Sequence, residues 1–147
     1  LVADIKEEHI QGIKNCFTEN EFYLSEDAIR EAICRKHQFN IIHPASGLKV
    51  DVIIRKQDVF DNSRFNRIKR LHPTKDTEAC FASPEDVIIK KMEFYKKGES
   101  EKHLRDITGI LKISGDAIDY DYINKWTNDL GLKEIWDAVL KRIKRIG

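Results

Sequence analysis

The tetrad Pro44-Ala45-Ser46-Gly47 lies between two apolar runs, Phe39 to His43 and Leu48 to Ile54, and this arrangement constrains the chain more than any other. Turn residues between runs rich in β-branched and aromatic side chains specify an antiparallel hairpin. Once the turn is set, the two-residue period of a strand decides which side chains share a face. On the second arm Lys49, Asp51 and Ile53 fall on one side, and Val50, Val52 and Ile54 on the other. Asp51 is the anomaly of that run, a carboxylate where packing alone asks for another Val or Ile. An ionised carboxylate is costly to bury unless a cation, a metal or hydrogen-bond donors meet it. Asp51 is therefore either a site candidate or a residue on the wet face of a half-buried strand.

At 147 residues the chain is one domain's worth, long enough to bury a sizeable core without disulfides or a structural metal. Lys plus Arg (26) nearly cancels Asp plus Glu (25), so no global basic field argues for nucleic acid. Locally the charge is less even. Arg55, Lys56, Arg64, Arg67, Lys69 and Arg70 form a basic stretch, and Lys141, Arg142, Lys144 and Arg145 suit the negative end of a last helix.

Cys16, Cys34 and Cys80 are odd in number, lack metal-like spacing and lie in apolar contexts. They read as small core residues in a reducing compartment. The five His residues are scattered, so no zinc site is indicated. No apolar run is long enough for a signal peptide or a membrane span, and a soluble, cytoplasmic protein is expected. The chain opens on Leu1-Val2-Ala3 without an initiator Met, as if in mid-strand, and residues upstream of Leu1 are expected in the full-length protein.

Apolar periodicity gives short strands alternating with helices, the helices dominating the second half. Leu1 to Ile5 reads as a strand end, Lys6 to Phe17 as a helix, Phe22 to Leu24 as a short strand, and Ser25 as the cap of a helix through about Arg35. After Asp58 a basic, weakly amphipathic helix is expected to run to about Leu71, stopped by His72-Pro73, with a strand from Thr77 to Phe81 beyond it. Ser83-Pro84-Glu85-Asp86 is a strong helix start: Ser caps, Pro takes the first turn, and the acids suit the positive helix end. That helix ends near Gly98, and three more are expected at Glu101 to about Ile113, Tyr120 to Leu130 and Lys133 to Ile146.

The order of these pieces resembles a known family. A hairpin with Gly-Leu-Lys-Val-Asp-Val, an Arg-bearing helix, a strand leading into Ser-Pro-Glu-Asp-Val-Ile-Ile-Lys-Lys-Met-Glu-Phe-Tyr, and then His-Leu-Arg-Asp-Ile-Thr-Gly-Ile-Leu resembles the bacterial nucleotidyltransferase-like superfamily. Within it the chain looks nearest to the branch of the AbiEii toxin and the minimal nucleotidyltransferases. The resemblance spans nearly the whole chain.

It implies an α/β (α+β) fold, a small, mixed, mainly antiparallel sheet flanked by helices, with an incomplete core over residues 1–97 and a helical region over 98–147 packed on it within one domain. It also implies transfer of a nucleoside monophosphate from a nucleoside triphosphate (NTP) to an acceptor hydroxyl, with Mg2+ held by three carboxylates on adjacent strands. Asp51 matches the third carboxylate, which orients or deprotonates the acceptor. The Gly-rich turn and Asp-x-Asp pair that carry the other two are not in this chain; the family pattern places them immediately before the stretch matching Leu1-Val2-Ala3-Asp4, so either they lie upstream in the full-length protein or this copy lacks them. Taken alone, residues 1–147 are expected to bind metal poorly and to be inactive.

The resemblance further implies that Lys91, with Arg105 and Asp106, lines the nucleotide side of the cleft, Lys91 contacting phosphate as a point charge and Asp106 holding it in place. A surface salt bridge between neighbouring helices explains the same pair. Arg64 and Arg67 face either phosphate or water, and Lys90 reads as solvated surface. The acceptor is open among a tRNA end, a protein hydroxyl and a small molecule.

Two other classes stay open. A non-catalytic relative would bind a nucleotide or a protein, as a toxin–antitoxin component or scaffold does. A metal-dependent nuclease is the weaker alternative, because Ile54-Arg55-Lys56 offers no acid where a restriction-type core needs one.

Overall fold

The computed structural model describes residues 1–146, with side chains through residue 143, so the Lys144 and Arg145 side chains lie outside the described residues. The fold is mixed α+β, with two small sheets flanked by helices among the described residues. None of the described helices is long and apolar enough to cross a membrane. The chain divides into two compact units, Leu1–Asp61 and Asn62–Gly147.

In the first unit β1 (Val2–Ala3) leads through a 3-10 turn at Glu7–His9 into α1 (Ile10–Cys16), followed by α2 (Glu26–Arg35), β2 (Gln38–His43) and β3 (Leu48–Ile54). The start of α2 is fixed by Ser25, whose Oγ accepts from the Ala28 amide at 3.2 Å, with Glu26 and Asp27 at the positive helix end. The sheet order is β1-β3-β2. The expected hairpin forms, with β2 antiparallel to β3 and Asn40 directly opposite Asp51, while β1 runs parallel to β3 with Val2 opposite Ile53.

Phe39 and Ile41 of β2 and Val52 and Ile54 of β3 face Ile10, Ile29 and Ala32 from the helices, and all seven are buried. Burying a side chain of this size stabilises by roughly 1.5–3 kcal/mol, so this face sets the register. The opposite face carries Gln38, Asn40 and Ile42 beside Ile53, Asp51 and Lys49. The expected strand at Phe22 to Leu24 is reduced to one bridge, Tyr23 to Ile42.

The second unit begins within α3 (Val59–Asn66) and continues with β4 (Lys69–Thr74), β5 (Thr77–Phe81), α4 (Pro84–Gly98), α5 (Glu101–Ser114), a 3-10 turn at Gly115–Ala117, α6 (Tyr120–Asp129) and α7 (Lys133–Ile146). The long basic helix expected to reach Leu71 is corrected here: it stops at Asn66, and Lys69–Thr74 pairs antiparallel with Thr77–Phe81. Pro73 is tolerated because this is an exposed two-stranded ribbon, and the register slips between Leu71 and Thr74 where its missing N–H would fall.

Ile88, Ile89 and Met92 of α4, Ile107 and Leu111 of α5, Ile123 and Trp126 of α6, and Trp136 and Val139 of α7 are buried, and α4 packs on all three other helices. The expectation that the cysteines fill core positions is overturned. Cys16, Cys34 and Cys80 are all exposed. Cys34 lies off the stripe on which Ile29 and Ala32 are buried, and Cys80 sits on the ribbon.

Candidate functional site

Asp51 stands at mid-β3 on the face turned away from the buried cluster. Its side chain is 51% exposed, and Oδ1 lies 3.1 Å from the Lys49 ammonium two residues earlier on the same face. Burial therefore supplies no argument for a site there, and what distinguishes Asp51 is its neighbours. The Leu1 nitrogen donates to the Asp51 carbonyl oxygen at 2.8 Å, Ile53 N–H donates to the Leu1 carbonyl at 2.8 Å, and Arg55 N–H to the Ala3 carbonyl at 3.0 Å. The backbone entering at Leu1 thus runs alongside the strand that carries Asp51. Across the hairpin on the other side is Asn40, whose Oδ1 is buried and accepts no hydrogen bond among the described residues.

Magnesium is held by hard oxygen donors. The Asp51 carboxylate and the Asn40 amide oxygen are donors of that type, and the Lys49 ammonium shows that the Asp51 position accommodates positive charge. They fit the ion as part of a set. Among the described residues no group of three or more His, Cys, Asp and Glu side chains converges on one point.

In the second unit Lys91 of α4 donates to Asp106 Oδ2 of α5 at 2.6 Å. The Lys91 hydrogen bond, helped by the positive charge of Lys91 and Lys102, holds the Asp106 carboxyl below its ordinary range despite some desolvation. This is the pairing in which Asp106 holds Lys91, and equally a partly exposed salt bridge of modest strength. Arg105 is exposed. Lys90, read as solvated surface, is instead only 18% exposed and pairs with Glu93 at 2.6 Å.

Arg64 is also no surface residue, being 8% exposed, with its guanidinium carbon 5.3 Å from the Phe65 ring centroid. The charge of Arg67 is already engaged: Nη2 donates to Glu85 Oε2 at 3.1 Å and Nε lies 3.7 Å from Asp86 Oδ2. Its guanidinium carbon is 3.9 Å from the Tyr122 ring centroid. Any phosphate taken up by Arg67 would compete with Glu85.

The reading of the sequence missed this cluster. Glu85 and Asp86 are buried, and the Asp86 carboxylate accepts from Ser83 Oγ at 2.8 Å and from the Tyr122 hydroxyl at 2.8 Å. Tyr122 also lies 3.2 Å from Ser63 Oγ, and Glu85 Oε1 accepts from the Asp119 amide at 3.1 Å. Burial pushes the Glu85 carboxyl up, but the Asp119 amide, its own backbone amide, Ser83 and Arg67 together hold it below its ordinary range. The Tyr122 hydroxyl, desolvated and donating to a carboxylate, is pushed up to about 12. The helix-start signal Ser83 to Asp86 was visible in the sequence; that it doubles as an anchor for α3 and α6 depends on Arg67 and Tyr122, which lie far from it in the chain.

Comparison with family models, with curated proteins and with solved structures returned no match.

Proposed function

We propose that this is a nucleotidyltransferase-like protein which, in its full-length form, transfers a nucleoside monophosphate from an NTP to an acceptor hydroxyl. The observation that supports the reading best is the parallel pairing of β1 with β3, which sets the backbone entering at Leu1 beside Asp51. The reaction needs carboxylates converging from adjacent strands, and β1 is the strand that pairs with β3 beside Asp51. The reading requires two such carboxylates there. It also implies a cytoplasmic protein.

Asp51 would take the proton of the acceptor hydroxyl. The acceptor oxygen then bonds to the α-phosphorus, the bond from that phosphorus to the bridging oxygen breaks, and pyrophosphate leaves. Bound magnesium would supply charge neutralisation of the triphosphate. Asp51 is suited to the proton-accepting role because its carboxylate is half exposed and its Lys49 partner is a half-exposed surface cation.

The exposure of Asp51 and its pairing with Lys49 favour one second reading, a non-catalytic relative that binds a nucleotide or a protein. Calorimetric titration of the full-length protein with magnesium and each of ATP, CTP, GTP and UTP, with pyrophosphate release followed in parallel, separates the two: only the enzyme releases pyrophosphate. Binding of one nucleotide that weakens at least tenfold in Asp51→Asn is expected; no binding of any of the four would sink the enzymatic reading.

A further inference from the structure

We propose that Asn40 supplies a second oxygen ligand beside Asp51 for a divalent cation on the open face of the β2-β3 hairpin, an inference that rests on the nucleotidyltransferase reading. Asn is poorly suited to the interior of a strand, and Asn40 stands between the buried Phe39 and Ile41. Its cross-strand partner is Asp51. Directly opposed residues have Cβ atoms about 4.5–5.5 Å apart, so two oxygen-bearing side chains rise from one row of the sheet, with Lys49 two residues from Asp51 on the same face.

The row has one feature that packing does not explain. Asn40 Oδ1 is buried and accepts no hydrogen bond among the described residues, although Asp51, Lys49 and Gln38 share its face. A buried acceptor without a donor costs stability, and native structures hold few of them. A Leu or Val at position 40 would remove that cost, so the residue is better explained by something it binds. A hard cation accepts an amide oxygen and a carboxylate together. The Lys49 ammonium, 3.1 Å from Asp51 Oδ1, pairs with the carboxylate and not with Asn40 Oδ1.

The test uses Mn2+ alone, followed by paramagnetic broadening of amide signals in the full-length protein, with thermal unfolding of the metal-free protein measured in parallel. The Asn40 side-chain NH2 and the Asp51 backbone amide should broaden together. Asn40→Leu should raise the Mn2+ concentration for half-broadening at Asp51 at least threefold while raising the melting temperature of the metal-free protein. Asn40→Asp, which keeps the shape and adds charge, should lower that concentration at least threefold, and it decides the matter if the Leu variant fails to fold. An Mn2+ midpoint unchanged in both variants, or a lowered melting temperature in a folded Asn40→Leu protein, overturns the role of Asn40. If Asp51→Asn nonetheless abolishes the broadening, the nucleotidyltransferase reading survives that result; if Asp51→Asn also changes nothing, both fall.

Discussion

The guanidinium carbon of Arg67 lies 3.9 Å from the centroid of the Tyr122 ring, and the hydroxyl of that ring donates to Asp86 Oδ1 at 2.8 Å. Arg67 itself reaches Glu85 and Asp86, so cation, ring and two carboxylates close a circuit joining the residue after α3, helix α6 and the first turn of α4 within the second unit. Burial makes each link matter. A buried carboxylate that loses a donor bears a desolvation cost that a solvated one escapes.

Tyr122→Phe keeps the ring under Arg67 and removes only the hydroxyl. The variant should lose about 1.5–3 kcal/mol of stability in urea denaturation, the range for a hydrogen bond to a charged group. In an ultraviolet pH titration of the native protein, the tyrosine ionisation at about 12 should vanish in the same variant. A Tyr122→Phe protein as stable as the parent would contradict the circuit.

Glu85 is held below its ordinary range in the folded state, so it contributes stability that is fully present above the unfolded carboxyl value, about 4.3. That contribution is lost as pH falls through the lower folded value. The stability gap between the parent and Glu85→Gln should therefore be constant near neutrality and narrow below about pH 4. Urea midpoints measured between pH 7 and pH 3, about the range over which a carboxyl titrates, check this, and a gap that widens in acid would refute it.

Asp51 lies exposed on the solvated face, so Asp51→Asn should change stability by no more than about 0.5 kcal/mol. Lys91→Met, which breaks a partly exposed pair, should cost at most about 1 kcal/mol. If calorimetric nucleotide affinity drops in either variant, unfolding is then not the reason. Chemical denaturation of both variants beside the parent supplies the check, and a large loss in either would show tighter burial than the geometry gives.

All three thiols should react with a disulfide reagent in the native protein without denaturant, because Cys16, Cys34 and Cys80 are exposed. Three equivalents released in the absence of urea is the expected count. Fewer would return one or more cysteines to the interior, where the sequence pattern had put them.

The hairpin at residues 38–54 was legible because its signals are local: a turn tetrad, two apolar runs and a strict alternation. The α4 start was legible for the same reason, since Ser83, Pro84, Glu85 and Asp86 act within one turn. The β4-β5 ribbon was not. Lys69 to Thr74 has neither clear period, and its identity as a strand comes from pairing with Thr77–Phe81. The cysteines were misread because apolar neighbours in sequence are not neighbours in space once a helix turns them to different sides.

The candidate site divides the same way. Asp51 stood out in the sequence because a charge interrupts an apolar alternation, and the alternation also placed it correctly opposite the core face. Asn40 did not stand out, because its oddity is a missing hydrogen-bond partner, a property of three-dimensional surroundings.

The sequence by itself determined the mixed α+β class, the presence of the hairpin and the capped helices, because each follows from spacing within a few residues. Only the tertiary structure decided that Asn40 opposes Asp51, that β1 lies parallel to β3, and that Arg67 is occupied by Glu85, Asp86 and Tyr122. These contacts join residues up to 55 positions apart, as from Arg67 to Tyr122. Which partners meet across such distances is decided by how apolar faces pack, and packing is a property of the whole chain rather than of any window in it.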